Sequence, residues 1–155
     1  MEIGRCTRAD FLEILGGQAA FWGSHRALAV HHPMLIEEFG DTAFVMREGA
    51  VLCGYLFGFR AQTGPHFYIH LVAVRDGWKG RGVGRALYAH VEAVARNKGA
   101  KRLKAIVKPD NATSIAFHRA LGFTAAGAEA GADAAPVVPD YAGPGRDMVV
   151  MEKPL

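Results

Sequence analysis

The stretch from Phe67 to Arg85 narrows the choice of folds more than any other part of the chain. Phe67-Tyr-Ile-His-Leu-Val-Ala-Val74 is an apolar run rich in β-branched and aromatic residues, and is expected to be a central strand covered on both faces. Lys79-Gly80-Arg81-Gly82-Val83-Gly84-Arg85 follows, with three alternating glycines. From Gly82 onward the apolar side chains fall at Val83, Leu87, Val91 and Val94, which is helical spacing. That helix is expected to end near Lys98-Gly99, a cationic last turn followed by a glycine stop. A strand, a glycine turn and a helix in succession make an anion site. Glycine lets backbone N–H groups turn toward one point and lets a ligand come close, and the helix N-terminus adds partial positive charge there. Lys79, Arg81 and Arg85 surround it with full charges. The plainer alternative is a tight turn whose glycines serve packing alone.

The remaining segments sort by the same two periodicities. Met1 to Thr7 reads as a first strand. Asp10 is the expected N-cap of a helix through Phe11, Leu12, Ile14 and Leu15 that ends near Gly16-Gly17. Residues 21–32 admit no single assignment. Pro33 opens a short helix through Met34, Leu35, Ile36 and Phe39, closed by Gly40. Thr42 to Arg47 and Val51 to Arg60 read as an antiparallel hairpin turning at Glu48-Gly49. Leu103 to Val107 is a strand halted by Pro109. Asn111 to Leu121 is a helix capped by Asp110 or Asn111 and stopped by Gly122. Ala125 to Gly145, mostly Ala, Gly and Pro, is too long for an idle connection and is expected to move or to line a site. Arg146 to Glu152 closes the chain as a strand. A hairpin-rich first half and a β-α-β-α-β second half predict an α/β chain, a mixed sheet with helices on its faces.

Composition removes several classes of function. A length of 155 residues predicts one domain over the whole chain. Half of the residues are hydrophobic and 21% are charged, which excludes a disordered chain. No apolar run approaches a membrane span of ~20 residues, and no apolar stretch follows Arg5 as a signal peptide would require. Cys6 and Cys53 are too few for a disulfide framework, and Cys53 reads as a buried thiol; a cytoplasmic location is the expectation. The net charge of +3 suits an anionic small ligand as well as nucleic acid. The basic stretch Lys101, Arg102 and Lys104 lacks the interleaved aromatics of an RNA surface, so neither a nucleic-acid nor a membrane partner is expected. His31-His32, and His66 with His70, have no Cys or acidic residue to complete a ligand set, and no metal is expected.

The phosphate ligand can be narrowed. A P-loop needs Gly-x-x-x-x-Gly-Lys-Ser/Thr, which does not occur here. A dinucleotide fingerprint needs Gly-x-Gly-x-x-Gly; counted from Gly80 its last position is Arg85, and counted from Gly82 it is Leu87. Leu71-Val-Ala-Val-Arg-Asp-Gly-Trp-Lys-Gly-Arg-Gly-Val-Gly-Arg-Ala-Leu87 instead resembles the coenzyme-A motif of the GNAT N-acyltransferase superfamily, Gln/Arg-x-x-Gly-x-Gly/Ala after a strand ending in Val. Lys79 stands where Gln or Arg is usual. The second motif of that family, Asn-x-x-Ala/Ser-x-x-Phe/Leu-Tyr/His-x-x-x-Gly-Phe, is resembled by Asn111-Ala-Thr-Ser-Ile-Ala-Phe-His-Arg-Ala-Leu-Gly-Phe123. The string Ser114-Ile-Ala-Phe-His118 is similar to the phosphinothricin-type branch.

The resemblance implies a mixed, mostly antiparallel central sheet of about six to seven strands flanked by about four helices. It also implies acetyl-CoA as cosubstrate. Val72, Ala73 and Val74 would offer strand-edge groups to the pantetheine arm. Lys79, Gly80, Arg81, Gly82, Val83, Gly84 and Arg85 would hold the pyrophosphate, and Asn111 the pantetheine side. His118 stands where most relatives carry a Tyr that protonates the departing thiolate; a histidine can do the same near neutral pH. His70 alternates with Val72 and Val74 on one strand face and is the candidate general base, alone or through a water. Tyr68 shares that face and is a candidate for orienting substrate. Trp22 lies where the family builds its acceptor pocket, with simple core packing as the alternative, and Tyr141 is a candidate gate.

The expected function is therefore acetyl transfer from acetyl-CoA to a primary amine, on a small molecule or a peptide, by direct attack in a ternary complex. Neither cysteine lies in a motif, so no covalent enzyme intermediate is expected. A non-catalytic acyl-CoA-binding module and a nucleotide-binding protein are the competing readings. A sheet edge and an apolar C-terminal strand allow a homodimer.

Overall fold

The computed structural model describes residues 1–127 and 135–155. Among them, seven strands form a mostly antiparallel sheet: β1 (Glu2–Arg5), β2 (Ala43–Glu48), β3 (Val51–Arg60), β4 (His66–Val74), β5 (Arg102–Val107), β6 (Thr124–Ala125) and β7 (Val149–Pro154). Five α-helices accompany them: α1 (Arg8–Gly16), α2 (Gln18–Trp22), α3 (Met34–Glu37), α4 (Val83–Asn97) and α5 (Ala112–Ala120). The chain clusters into two compact units, Met1–Phe59 with Ile69–Val94, and Arg60–Tyr68 with Ala95–Leu155.

In the first unit, β1 pairs antiparallel with β2 and β2 with β3. The predicted hairpin turn at Glu48-Gly49 is present, with Gly49 at φ 56°. The predicted N-cap of α1 is corrected. Thr7 caps it, its hydroxyl accepting from the Asp10 N–H, while the Asp10 carboxylate accepts from the Thr7 N–H at 2.8 Å. This capping box satisfies two orphan donors at once and places Asp10 one turn inside the helix. Gly17 then breaks the first helical segment from α2, so there are five helices where about four were expected. Phe11, Ile14, Phe21, Tyr55, Phe57 and Leu71 form the heart of this unit's core. Fully burying side chains of this size is worth about 1.5–3 kcal/mol each.

The expected two-sided burial of β4 is also corrected. Its residues alternate strictly: Phe67, Ile69, Leu71 and Ala73 are buried, while His66, Tyr68, His70, Val72 and Val74 are half-buried. One face of the strand is core; the other carries the polar and aromatic candidates. Gly54 of β3 explains how α4 is seated. A Cβ there would lie 2.7 Å from Val83 Cγ1 and 2.9 Å from the Ala73 carbonyl oxygen. Only the missing side chain lets the first turn of α4 come this close.

In the second unit, β7 pairs antiparallel with both β5 and β6. Leu103, Ala105 and Val107 are buried, and Arg102, Lys104 and Ile106 lie half-buried on the opposite face. Of the two proposed caps of α5, Asn111 is the one used; its Oδ1 accepts from the Ser114 N–H at 3.0 Å. The expectation for Ala125 to Gly145 falls partly on residues 128–134, outside the described residues. Val138 and Met148 pair through an isolated antiparallel bridge that closes the segment between them.

Candidate active site

The glycine turn carries two residues in the left-handed region. Gly80 and Gly82 adopt φ of 76° and 82°, and no atom lies within 4 Å of a Cβ built on either. Left-handed residues in such a turn let backbone N–H groups converge on an anion, and the Arg81 N–H between them bonds the Trp78 carbonyl at 3.4 Å. Helix α4 starts at Val83 and runs 15 residues, so its unsatisfied N–H groups and dipole face the same turn. The flanking cations differ. Lys79 is bound to Asp76 at 2.6 Å. Arg81 lies 4.0 Å above the Trp78 ring and pairs with Glu48 at 3.7 Å. The backbone geometry and the open space beside both glycines fit a pyrophosphate.

His70 projects from the half-buried face of β4. Its Nε2 lies 3.1 Å from the Val30 carbonyl oxygen. A carbonyl only accepts, so Nε2 carries the proton and the neutral ring has its lone pair on Nδ1. Val30 belongs to a short 3-10 turn, Leu28–Val30, and that turn is held in place by His31. The His31 ring is buried, with Nδ1 donating to the Ala27 carbonyl at 2.6 Å and Nε2 at 2.7 Å from the Tyr55 hydroxyl. Because Nδ1 donates, Nε2 accepts, and Tyr55 is the donor. Trp22 Nε1 donates in turn to the same Tyr55 oxygen at 2.7 Å. Burial lowers the His31 pKa against the opposing Ala27 bond, and the nearby His70 lowers it further.

Trp22 is thus placed in a polar network while its ring stays 39% exposed. Tyr55 and Gln18 were missed in the sequence. Gln18 is fully buried and its Oε1 has no partner. The only signals were a hydroxyl in an apolar strand and an amide at a helix start, and both are ordinary.

His118 lies in the second unit, on α5, and is 3% exposed. Its Nδ1 donates to the Ser114 carbonyl at 2.7 Å, so the neutral ring carries its lone pair on Nε2. Burial lowers its pKa, opposed by the bond to Ser114. Asn111 begins the same helix and is exposed. In this unit burial raises the Tyr68 pKa, and the Tyr141 phenol adds to the rise.

Both thiols are buried and free. Burial, assisted by the Asp10 carboxylate, pushes the Cys6 pKa up to about 12, which leaves no thiolate near neutral pH. No group of three metal-ligating side chains occurs among the described residues.

A half-buried strand face bearing His70 is followed by a turn with two left-handed glycines and by the N-terminus of a long helix. Residues 9–123 match the model of the Acetyltransferase (GNAT) family, and the chain belongs to that family. It is 31% identical over 116 residues to an aminoglycoside 2'-N-acetyltransferase of Mycolicibacterium fortuitum, covering 75% of this chain and 49% of that protein. It is 35% identical over 88 residues to the L-methionine sulfoximine/L-methionine sulfone acetyltransferase of Salmonella typhimurium, covering 55% and 52%. The matches thus span about half the length of these relatives. The solved structure of yncA from Salmonella typhimurium, with its cofactor acetyl-CoA, superposes with a TM-score of 0.70 at 24% identity, covering 100% of this chain and 94% of that one.

Proposed function

We propose that the chain is one acyltransferase domain over residues 1–155 that transfers an acetyl group from acetyl-CoA to a primary amine by direct attack in a ternary complex. The observation that carries this reading is the Gly80–Gly82 nest at the start of α4, directly after the strand that presents His70. Gly80 to Arg85, with Lys79, would hold the pyrophosphate. The backbone of Val72, Ala73 and Val74 and the Asn111 side chain would hold the pantetheine arm. The bound cosubstrate supplies an acyl group already activated as a thioester.

His70 would take the amine's proton at Nδ1 as the N–C bond forms and the C–S bond breaks. His118 would give a proton to the departing sulfur from Nε2. Because its Nδ1 is committed to Ser114, that role belongs to the imidazolium form. Trp22, Tyr68 and Tyr141 would contact the acceptor. The inert Cys6 supports a route without an acyl-enzyme. The same reading places the protein in the cytoplasm, with which two buried free thiols agree, and allows a homodimer, which light scattering would test.

The deciding experiment is calorimetric titration with acetyl-CoA, NAD and ATP, followed by a thiol-release assay against a panel of amines. Binding of acetyl-CoA alone, with amine-dependent thiol release, is expected. Binding without release on any amine would make the chain a non-catalytic acyl-CoA module. No binding of acetyl-CoA would end the reading.

A further inference from the structure

We propose that Arg75 is a positioning residue for the cosubstrate: it moors the glycine turn to α1, α2 and β3, so that the pyrophosphate meets a turn already in shape. The proposal rests on the acetyl-transfer reading above and adds a residue that acts on acetyl-CoA through the turn.

All the residues concerned lie in the first unit. Arg75 directly follows β4 and opens the segment that carries Gly80 and Gly82. Its N–H donates to the Cys53 carbonyl at 2.8 Å, and its own carbonyl accepts from the Trp78 N–H at 3.0 Å. The side chain reaches three further elements. Nε donates to the Leu52 carbonyl of β3 at 2.7 Å. Nη2 donates to Glu13 of α1 at 3.4 Å. The guanidinium carbon lies 4.8 Å from the centroid of the Phe21 ring on α2. A planar fork of donors suits a carbonyl, a carboxylate and an aromatic face at once.

The anchor points are themselves fixed. Glu13 also binds Arg47 at 2.5 Å, and Arg47 binds Asp10, the partner in the capping box of α1, at 2.6 Å. The residue after Arg75 extends the mooring. The Asp76 N–H donates to the Ala20 carbonyl of α2 at 2.7 Å, and the Asp76 carboxylate holds Lys79, the neighbour of Gly80.

The turn needs such an anchor. Gly77, Gly80 and Gly82 have φ of 80°, 76° and 82°, and glycine loses more backbone freedom on ordering than any other residue. A turn ordered only by its ligand binds that ligand less tightly. Arg75 and Asp76 tie one end in advance, and α4, seated over Gly54, ties the other. The effect should therefore fall on ligands that carry a pyrophosphate.

The test is calorimetric titration of wild type, R75Q, R75K and E13Q with acetyl-CoA and with S-acetylpantetheine, which keeps the thioester arm but lacks the pyrophosphate. In R75Q acetyl-CoA affinity should fall roughly tenfold, as for loss of a charge-assisted contact, while S-acetylpantetheine affinity changes little. E13Q removes one anchor and should show the same selective loss at smaller size. R75K keeps the charge without the fork and should recover only part of the affinity. Thermal melts confirm that each variant is folded; if R75Q does not fold, E13Q decides alone. Unchanged acetyl-CoA affinity, or losses equal for the two ligands, overturns this proposal and leaves acetyl transfer standing. Full recovery in R75K overturns it too, by marking a direct contact of charge with phosphate. A wild-type chain that does not bind acetyl-CoA removes both readings.

Discussion

The hydroxyl of Tyr55 lies 2.7 Å from Nε2 of His31 and donates to it, inside a core where both side chains are almost fully buried. That bond links β3 to the turn whose Val30 carbonyl orients His70. A packing interaction in the interior thereby sets which nitrogen of the candidate base carries its lone pair.

Tyr55→Phe removes the shared oxygen and leaves the Trp22 N–H and His31 Nε2 without it. The expected loss is about 1–3 kcal/mol, as for stranding buried polar groups. Urea melts measure it. If His31 orients His70 through Val30, kcat should fall as well, while acetyl-CoA affinity stays the same.

Stability should fall on acidification. His31 and His118 are both buried with pKa values below the ordinary 6.5. The unfolded chain takes up protons as the pH drops through about 6.5, and the folded chain resists them. Their contribution is complete above that pH and is lost progressively below it. A melting temperature that stayed flat from pH 7 to pH 5 would count against neutral, buried rings.

His118→Phe should matter most in acid. The imidazolium needed for proton donation forms only below a pKa lowered by burial, so wild-type and variant turnover should converge as the pH rises above neutrality. Equal rates at every pH would remove His118 from the chemistry.

His70→Ala should lower turnover about a hundredfold at neutral pH, in the range of general-base catalysis, and the loss should shrink above the pKa of the acceptor amine. Flat and parallel pH profiles for the two forms would refute the role.

Gly54→Ala tests the seat of the cradle. The new methyl would meet the Ala73 carbonyl and Val83 at less than 3 Å, and overpacking of this kind costs about 1–3 kcal/mol. Because Val83 opens α4, acetyl-CoA affinity should fall together with stability. Lower stability with unchanged affinity would show that the first turn of α4 does not depend on this contact.

The local vocabulary of the fold was legible in the chain itself. The β-branched and aromatic run Phe67–Val74, the helical spacing of Val83, Leu87, Val91 and Val94, and the glycines at 80 and 82 depend on residue type, periodicity and backbone freedom, which are properties of neighbouring residues; the one-sided burial of the strand does not. They suffice for the strand, the helix and the turn between them. Caps were less legible, because Thr7 and Asp10 are both good cap residues and only their reciprocal bonds distinguish them. Tertiary structure alone decided the rest. The tautomers of His31 and His118 follow from carbonyls four residues away on a turn and a helix, but that of His70 follows from Val30, forty residues away in sequence. Gly54 matters through what lies above it, and Arg75 through a carboxylate and an aromatic ring on helices far upstream. A hydrogen bond, a close approach or a cation over a ring is a relation between distant residues, and its existence depends on how the chain has closed.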